Sequence, residues 1–242
     1  MTEKKVSEAI KHRRSVRIYD QTKKIDTNIV KECIEQASLA PTSSNMQLWE
    51  FYHITSPEKL KEVSFACFNQ PAARTSLQLV IPVVRKDLWR NRVKSNIDFL
   101  KTEFKKDNQK DIKKEKSALI YYEKVVPALY FDFIGLIGLF KYISVLILGF
   151  FRPIYRQVRS SDLRIVGHKS TALAAQNFMI SMSGYGYDTC PMEGFDSKLI
   201  KKVLNLPDKA EISMVIGCGI RAENGVYGPR FRVPFKDVYK EK

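Results

Sequence analysis

An almost uninterrupted apolar run, residues 128–151, constrains the fold of this chain more than any other stretch. It reads ALYFDFIGLIGLFKYISVLILGFF and carries only Asp132 and Lys141 as charges in 24 residues. A run of this length and hydropathy is a candidate membrane span, because about 20 apolar residues cross a hydrocarbon core of about 30 Å. Over residues 133–151, 13 side chains are Phe, Leu, Ile or Val, each favouring insertion by about 0.3 to 0.6 kcal/mol against a cost of about 3 for Lys141. The sequences on either side must therefore decide whether the run crosses.

The rest of the composition indicates a folded chain with an uneven positive charge. Its 242 residues, 44% of them hydrophobic, suffice for one large domain or two small ones. Of the formal net charge of +15, residues 85–124 contribute +6 (13 Lys/Arg against 7 Asp/Glu) and residues 152–169 contribute +4 (5 against 1). Such charge suits nucleic acid or an anionic membrane surface. We predict no nucleic-acid partner, because these stretches lack the common recognition modules and border an apolar run.

Cysteines and histidines are too scattered to predict a disulfide framework or a metal site. The four cysteines form no CxxC pair, and the three histidines lack ligand spacing; they are Cys33, Cys67, Cys190 and Cys218, and His12, His53 and His168. No secretory signal precedes them. We therefore expect reduced thiols, a cytoplasmic location and no bound metal.

Periodicity predicts a mixture of helices and strands. Helices are expected over residues 6–12, from an Asp26 N-cap through about residue 37, and over 57–68, 170–182 and 197–204. Strands are expected over residues 49–54, 76–84 and 211–217, with an extended segment over 16–19. Pro82 predicts that its strand lies at an edge or ends there, since proline cannot donate to a ladder.

Two arginine-rich segments are candidates for an anion site. RRSVRIY, residues 13–19, places three arginines and a serine within five positions, and YGPRFRVP, residues 227–234, contributes Arg230 and Arg232. Guanidinium groups bind phosphate through paired, charged hydrogen bonds. The alternative is that these are solvated basic residues in an already basic protein.

A third segment, CPMEGFD over residues 190–196, holds two acids, a glycine and a proline. It is either an ordinary turn in which Asp196 caps the following helix, or a turn that also holds a ligand. The two interpretations are compatible.

Together the segments resemble the FMN-dependent nitroreductase family. The order of RRSVRIY, APTSSNMQ (residues 40–47), Asn69, PMEGFD and PRFRVP is specific, although no single piece is. The resemblance covers roughly residues 5–85 and 165–235. It implies an α+β fold with a mixed, mainly antiparallel sheet flanked by helices, assembled as an intertwined homodimer with FMN at the interface. Residues 1–85 and 165–242 would form the FMN-binding domain, and residues 86–164 a basic and apolar insertion that acts as a substrate lid or a membrane-associating segment.

The resemblance also implies roles for individual residues. The phosphate, ribityl chain and pyrimidine edge of the flavin would be held by Arg13, Arg14, Ser15 and Arg17, with Arg230 and Arg232 completing the phosphate clamp. The partner subunit would contribute Pro41, Thr42, Ser43 and Asn45, and Asn69 would contact the isoalloxazine ring. Glu193 and Gly194 would be the catalytic pair, whose turn offers a backbone N–H towards flavin N5.

The activity implied is that of an FMN-dependent NAD(P)H oxidoreductase. In the family mechanism, NADH or NADPH reduces FMN and leaves, and a nitroaromatic, quinone or similar small acceptor then takes its place. The cofactor supplies the difficult step, so no catalytic triad is expected. Alternatives are a related flavoenzyme such as a reductive dehalogenase or enoyl reductase, and a non-catalytic basic protein that binds a membrane or nucleic acid.

Two departures from the family pattern concern the loop and the insertion. Leu48 stands where many relatives have proline, and residues 86–165 do not match the usual pattern. Because flavin-binding segments lie on both sides of the apolar run, one membrane crossing would separate them on opposite faces. The run is therefore predicted to be a re-entrant or interfacial hairpin, bent near Gly135 and Gly138, or to be buried in the dimer.

The basic flank of the run favours attachment to a membrane surface. Arg152, Arg156 and Arg159 would each contribute about 1 kcal/mol of attraction to an anionic leaflet. The sequence thus predicts a peripheral protein on the inner face of the cytoplasmic membrane, with an arm over residues 128–151 that admits a lipophilic acceptor.

Overall fold

A computed structural model describes residues 3–106, 111–132 and 136–242 of the chain. The helices are α1 Val6–His12, α2 Thr27–Ala37, α3 Pro57–Ala66, α4 Pro71–Arg74, α5 Trp89–Lys106, α6 Ile112–Ile120, α7 Val126–Tyr130, α8 Leu136–Leu148, α9 Ser160–Gly184, α10 Ser197–Val203 and α11 Phe235–Val238, with a π-helical turn over Tyr121–Val125. The strands are β1 Trp49–Ile54, β2 Gln78–Val84, β3 Asp188–Met192, β4 Glu211–Ile212 and β5 Val215–Gly219.

The strands form one sheet in the order β1-β2-β5-β3, with β4 also paired to β2. Each of these pairs is antiparallel. A parallel bridge between Ser15 and Thr189 adds the segment after α1 to the outer side of β3. The predicted α+β fold with a mixed, mainly antiparallel sheet is confirmed.

Two apolar layers cover the sheet, one on each face. Leu79, Ile81 and Val83 of β2 point into a cluster that includes side chains of α3 and α10. Val80 points the other way, into a cluster with α2 and α9 that contains Phe178. This alternation follows from the two-residue period of a strand, and every residue of β2 is buried.

Helix α2 begins as the sequence predicts. Asp26 accepts a hydrogen bond from the Asn28 N–H at 2.8 Å and so satisfies one of the free donors of the first turn. Val30, Cys33 and Ala37 follow at helical spacing and are fully buried. The helix therefore covers one face of the sheet with an apolar stripe.

The prediction that Pro82 marks an edge strand or a strand end is wrong. β2 lies inside the sheet, with β1 on one side and β5 and β4 on the other. β5 pairs with residues 78–80 and β4 with residues 83–84, so Pro82 lies where one partner strand gives way to the next. Its carbonyl accepts from the Ser213 N–H at 3.0 Å. In a strand the N–H of a residue lies on the same side as its carbonyl. The N–H that proline lacks would therefore lie at the break between β5 and β4, where no ladder bond is lost.

Other strand boundaries also differ from the prediction. Residues 190–192, expected in a turn, belong to β3. The strand expected over 211–217 is divided into β4 and β5. The extended segment over 16–19 makes isolated bridges at Ser15 and Tyr19 rather than a strand of its own.

The apolar run is divided into two short helices. α7 ends at Tyr130 and the 13-residue α8 begins at Leu136; at 1.5 Å per residue α8 is about 20 Å long, short of the ~30 Å hydrocarbon core. Among the described residues, no helix has the length and apolar character needed to span a membrane. Gly138 is not at a bend, because it lies inside α8, and Gly135 falls outside the described residues.

Both charges of the run are satisfied by backbone groups. Asp132 Oδ1 accepts from the Gly138 N–H at 3.0 Å, in the first turn of α8. Lys141 Nζ donates to the carbonyls of Leu129 and Phe131. Burial lowers the pKa of Lys141, while the nearby Asp132 carboxylate opposes that shift. These contacts tie α8 to the end of α7.

Candidate active site

Six of the residues expected to bind FMN line a single cleft of about 270 Å³, here called the arginine cleft. They are Arg13, Arg14, Ser15, Arg17, Arg230 and Arg232. The remaining lining comes from residues 226–231. The sequence segments before residue 20 and after residue 225 therefore meet at one place, as the resemblance implies.

Backbone contacts hold the two sides of the arginine cleft together. Arg14 donates to the Gly228 carbonyl at 2.9 Å, and Arg230 donates to the Lys11 carbonyl at 2.9 Å and also to that of Arg13. The Arg17 N–H donates to the Gly225 carbonyl at 2.6 Å. These bonds fix the backbone and bring the guanidinium groups onto one surface.

The arginine cleft is strongly positive. Within residues 3–106, 111–132 and 136–242, none of its arginines is paired with a carboxylate; the ion pairs found there involve other residues. Burial lowers the pKa of Arg13, and the positive charges of Arg230, Arg232 and Arg14 lower it further. Cations crowded without counter-charges favour a bound anion, and a phosphate group fits this donor set.

The strand that precedes the Glu193–Gly194 turn passes beside the arginine segment. Cys190 is buried in β3, and burial raises the pKa of its thiol, while the charges of Arg17 and Arg13 oppose that rise. β3 ends at Met192, and Glu193 and Gly194 follow directly. The parallel bridge from Ser15 to Thr189 thus places the arginine segment beside β3, whereas Glu193 lines a different cleft, of about 400 Å³, with Arg164 and His168 among its other lining residues.

Two outer contacts fix the Glu193–Gly194 turn. Gln70 donates from its side-chain amide to the Gly194 carbonyl at 2.7 Å. The Asp196 N–H donates to the Ala66 carbonyl at 2.8 Å. In the described part of the chain, no acceptor is found for the N–H groups of Glu193 and Gly194, so these donors are available to a ligand.

Asp196 also caps the next helix, as predicted. Its Oδ1 accepts from the backbone N–H groups of Lys198 at 2.9 Å and Leu199 at 3.1 Å. Both interpretations of the CPMEGFD segment are therefore compatible with the geometry. Asn69 lies next to Gln70, in a left-handed conformation (φ 50°) at the end of α3.

The loop that carries the other predicted residues is strained. Ser44, Asn45 and Gln47 have φ values of 52°, 47° and 46°, a region that side-chain-bearing residues rarely adopt. The Gln47 N–H donates to Thr42 Oγ1 at 3.3 Å. Asn45 donates to Asn96 Oδ1 at 2.9 Å and receives a hydrogen bond from Asn96 Nδ2 on its carbonyl at 3.1 Å. Helix α5 of the predicted insertion thus stabilises this loop.

The structure does not bring this loop to the arginine cleft of the same chain. Ser43 and Ser44 instead line a separate cleft, together with residues between 121 and 158. Pro41 and Thr42 precede that position, and Asn45 follows it. The predicted site residues therefore fall into three places in one chain: the arginine cleft, the Glu193–Gly194 turn with Asn69, and the 41–45 loop.

Sequence reasoning missed Gln70 and Asn96. Asn96 is 8% exposed and follows Val93 on the buried side of α5. A polar residue on the apolar face of an otherwise basic amphipathic helix was the available signal, since buried amides need partners. Gln70 carries no signal beyond its position after Asn69.

The cysteines and histidines form no further centre in the described ranges. Cys33, Cys67, Cys190 and Cys218 are all free and buried. Among the residues that the structure describes, no three His, Cys, Asp or Glu side chains come together as a metal site. His168 and Arg164 contact Glu211 as an ion-pair group instead.

The sequence model of the nitroreductase family matches residues 10–220. The chain belongs to this family. The match spans the arginine segment, the 41–45 loop, the insertion and the Glu193–Gly194 turn. Membership makes the chain an oxidoreductase.

Similar proteins cover nearly the whole chain. It is 28% identical over 237 residues to YdgI of Bacillus subtilis (strain 168), provisionally named an NAD(P)H nitroreductase, covering 97% of this chain and 96% of that protein. It is 27% identical over 217 residues to a 4-nitrobenzoate reductase of Pseudomonas putida, covering 88% and 83%. A solved structure of a provisionally named nitroreductase from Exiguobacterium sibiricum 255-15, in complex with FMN, aligns with a TM-score of 0.70 at 24% identity, covering 100% of this chain and 99% of that one.

Proposed function

We propose that this member of the nitroreductase family is an FMN-dependent NAD(P)H oxidoreductase that reduces nitroaromatic, quinone or similar small acceptors. The observation that carries the proposal is the meeting of Ser15 and five arginines in the arginine cleft, where none of the arginines has a carboxylate partner among the described residues. The relatives named NAD(P)H nitroreductase and 4-nitrobenzoate reductase support the same activity.

In this proposal each part of the site has one task. Arg13, Arg14, Ser15, Arg17, Arg230 and Arg232 bind the phosphate, ribityl chain and pyrimidine edge of FMN. The Glu193–Gly194 turn, held by Gln70, offers a backbone N–H to the reactive nitrogen of the flavin ring, and Asn69 contacts that ring. Bound FMN supplies hydride transfer, by accepting hydride from NADH or NADPH and passing it to the second substrate in a ping-pong cycle.

A homodimer would complete this site. The 41–45 loop lines a different cleft from the arginines of its own chain, so we propose that Pro41, Thr42, Ser43 and Asn45 reach the FMN of a second copy. The C-terminal segment supports association, because Phe231 and Phe235 are 76% and 73% exposed in the single chain. Phe235 also stacks on the exposed ring of Tyr239 at a centroid distance of 5.0 Å, and exposed apolar patches mark interaction surfaces.

The domain division is part of the same proposal. Residues 1–85 and 165–242 hold the sheet and the arginine cleft, and residues 86–164 form an insertion over the 41–45 loop. Met46 and Leu48 are buried against Val93, Val126 and Tyr130 of that insertion. Leu48 stands at the position where many relatives have proline, and its side chain packs into this apolar cluster with the insertion.

We further propose that the insertion rests on an anionic membrane surface on the cytoplasmic side. Leu139, Phe140, Ile143 and Ile147 of α8 are exposed apolar side chains. Basic groups flank them, since Arg156 donates to the Gly149 carbonyl at 3.3 Å and Arg159 lies 3.8 Å from the ring centroid of Tyr142. An apolar face with a basic border suits the headgroup region of an anionic leaflet.

The first experiment is the visible absorption spectrum of the purified protein before and after anaerobic addition of NADH or NADPH. We expect a flavin spectrum that bleaches with at least one nucleotide and returns when a nitroaromatic or a quinone is added. A protein that stays colourless and does not bind added FMN would contradict the proposal and favour a non-catalytic basic protein.

Membrane attachment is tested by co-sedimentation with lipid vesicles. We expect binding to vesicles with anionic lipid, little binding to zwitterionic vesicles, and loss of binding in an Ile143→Lys/Ile147→Lys variant. The control is Lys198→Gln, which removes one basic side chain from α10 outside the insertion. Equal sedimentation of wild type and the α8 variant would rule out the attachment.

A further inference from the structure

We infer that the cleft between α7 and α8 binds the hydrocarbon tail of the electron acceptor, so that the second substrate is an amphipathic molecule with a planar head and a long apolar chain. This inference rests on the proposed function and deepens it by naming the substrate class. The cleft, here called the tail cleft, has a volume of about 680 Å³. That volume lies in the range of about 300–1,000 Å³ typical of small-molecule sites.

The walls of the tail cleft are apolar. They are formed by Val125, Ala128, Leu129, Ile137, Phe140, Val145 and Val158. Of these side chains, Phe140 is 71% exposed in the single chain and Val145 is 8% exposed. Burial of apolar surface against such walls favours a hydrocarbon ligand.

Two of the polar side chains along the walls, Lys141 and Ser144, are already hydrogen-bonded within the protein. Lys141 Nζ donates to the carbonyls of Leu129 and Phe131, and Ser144 Oγ donates to the Phe140 carbonyl at 2.9 Å. A polar ligand would therefore find few open partners along these walls. A hydrocarbon chain needs none.

One end of the tail cleft is polar and adjoins the proposed flavin-binding loop. Ser43 and Ser44 line this end with Tyr121. The hydroxyls of Ser44 and Tyr121 are 2.6 Å apart, and Tyr122 donates to the Ser44 carbonyl at 3.0 Å. A ligand whose tail lies between α7 and α8 would thus present its head at the 41–45 loop, where the proposed function places flavin chemistry.

A second cleft, between residues 86–163 and residues 208–211, provides a contrast. It has a volume of about 490 Å³ and is lined largely by charged side chains, including Lys86, Asp87, Arg90, Asp132 and Glu211. The two clefts differ in chemistry although residues 86–164 contribute to both. The apolar lining of the tail cleft is therefore a local feature and not a general property of this region.

The test compares two benzoquinones with the same ring, one carrying a decyl chain and one carrying a methyl group. Both are assayed with the FMN-loaded protein and NADPH or NADH, and their binding to the oxidised protein is measured by calorimetry. We expect the decyl quinone to show at least about tenfold higher kcat/KM and at least about tenfold lower Kd, equivalent to about 1.4 kcal/mol.

Two variants locate the effect. Ser144→Phe and Ala128→Phe each place a ring in the tail cleft and should reduce both ratios of decyl to methyl quinone to about one. Ile147→Phe, on α8 but outside the cleft lining, is the control and should keep the wild-type ratios. If one of the two cleft variants fails to fold, the other still tests the inference.

The outcomes separate this inference from the proposed function. Equal kcat/KM and equal Kd for the two quinones would overturn the inference that the tail cleft binds a hydrocarbon chain. Turnover of both quinones would still establish the oxidoreductase activity. A wild-type preference that Ser144→Phe and Ala128→Phe retain would also overturn it. If the protein reduced neither quinone, the proposed function would fail, and the calorimetric ratio alone would then decide whether the cleft binds a tail.

Discussion

Asn45 and Asn96 hold each other in place across the boundary between the proposed flavin-binding loop and the insertion. Asn45 Nδ2 donates to Asn96 Oδ1 at 2.9 Å, and Asn96 Nδ2 donates to the Asn45 carbonyl at 3.1 Å and to the Arg92 carbonyl at 2.9 Å. The loop they join contains residues in the left-handed region, which costs free energy unless surrounding contacts fix it. The insertion therefore supplies contacts that the loop needs.

Asn96→Ala should loosen the loop and weaken FMN binding. The substitution removes the Asn96 partner of the Asn45 side-chain amide and of the Asn45 carbonyl, which keeps only a bond of 3.4 Å from Gln47 Nε2. We therefore expect a loss of about 1–3 kcal/mol of unfolding free energy and a higher Kd for FMN. Urea unfolding and fluorescence titration with FMN measure the two effects. Asn91→Ala, at an exposed position of the same helix, should change neither. An unchanged Kd with reduced stability would show that the loop does not contact FMN.

Arg230→Gln should weaken binding of FMN but not of riboflavin. Arg230 belongs to a cleft whose arginines have no carboxylate partner in the described ranges. A hydrogen bond to a charged group contributes about 1.5–3 kcal/mol, so the Kd for FMN should rise by about tenfold or more. Riboflavin lacks the phosphate and should bind the variant and the wild type alike. Lys236→Gln, exposed nearby in sequence, serves as the control. A parallel loss for both flavins would mean that Arg230 supports the backbone and not the phosphate.

Unfolding free energy should decrease as the pH falls below about 6.5, the ordinary pKa of histidine. Burial lowers the pKa of His53, partly opposed by its hydrogen bond to Gln78 at 2.7 Å, and burial also lowers that of His12. The unfolded chain then binds protons more tightly than the folded one, so this stability is fully present above the unfolded pKa and is lost as the pH falls from there through the lower folded pKa. Urea unfolding between about pH 7 and pH 5 should show a shallower loss in His53→Gln than in wild type. Parallel curves would exclude His53 as the cause.

Gly217→Ala should destabilise the centre of the sheet. A Cβ at this position of β5 would lie 2.5 Å from Ser76 Oγ and 2.8 Å from the Ala72 carbonyl. Because the backbone oxygen cannot move away cheaply, we expect a loss of about 1–3 kcal/mol of unfolding free energy. Gly184→Ala, whose new Cβ would have no contact closer than 3.5 Å, is the matched control in the same assay. Similar losses for both would point to a backbone effect and not to the clash.

The parts of the fold that sequence predicts are those set by local chemistry. β1 and α1 have the expected bounds, and the Asp26 and Asp196 caps form as their positions indicate. The prediction from Pro82 was wrong because a strand interior tolerates proline where no partner carbonyl needs its N–H. Such a place exists between β5 and β4, and it arises only from the pairing of β2 with two successive strands. β3 was missed because Cys190, Pro191 and Met192 lie next to a turn segment whose acids and glycine dominate the local pattern.

In the candidate site, too, the features set by local sequence were predicted and those set by tertiary contacts were not. Each arginine segment was predicted to bind an anion from its residue types alone. The prediction that the two segments share one site came from the family resemblance. The pairing of Asn45 with Asn96 could not be predicted, because it joins residues 51 positions apart through a loop whose left-handed residues include no glycine. The apolar run was predicted to be a hairpin or a segment buried in the dimer, but the end of α7 at Tyr130 and the backbone partners of Asp132 and Lys141 could not be read from the sequence.

The contacts from Asn96, Tyr121 and Tyr122 to the 44–45 backbone and side chains have a consequence for coupling. They connect the helices of residues 86–164 to the 41–45 loop through a few hydrogen bonds. A ligand that fixes the loop would therefore also restrain those helices. By the reciprocity of linked binding, a molecule held between α7 and α8 would change the affinity of the loop for its own ligand by the same factor.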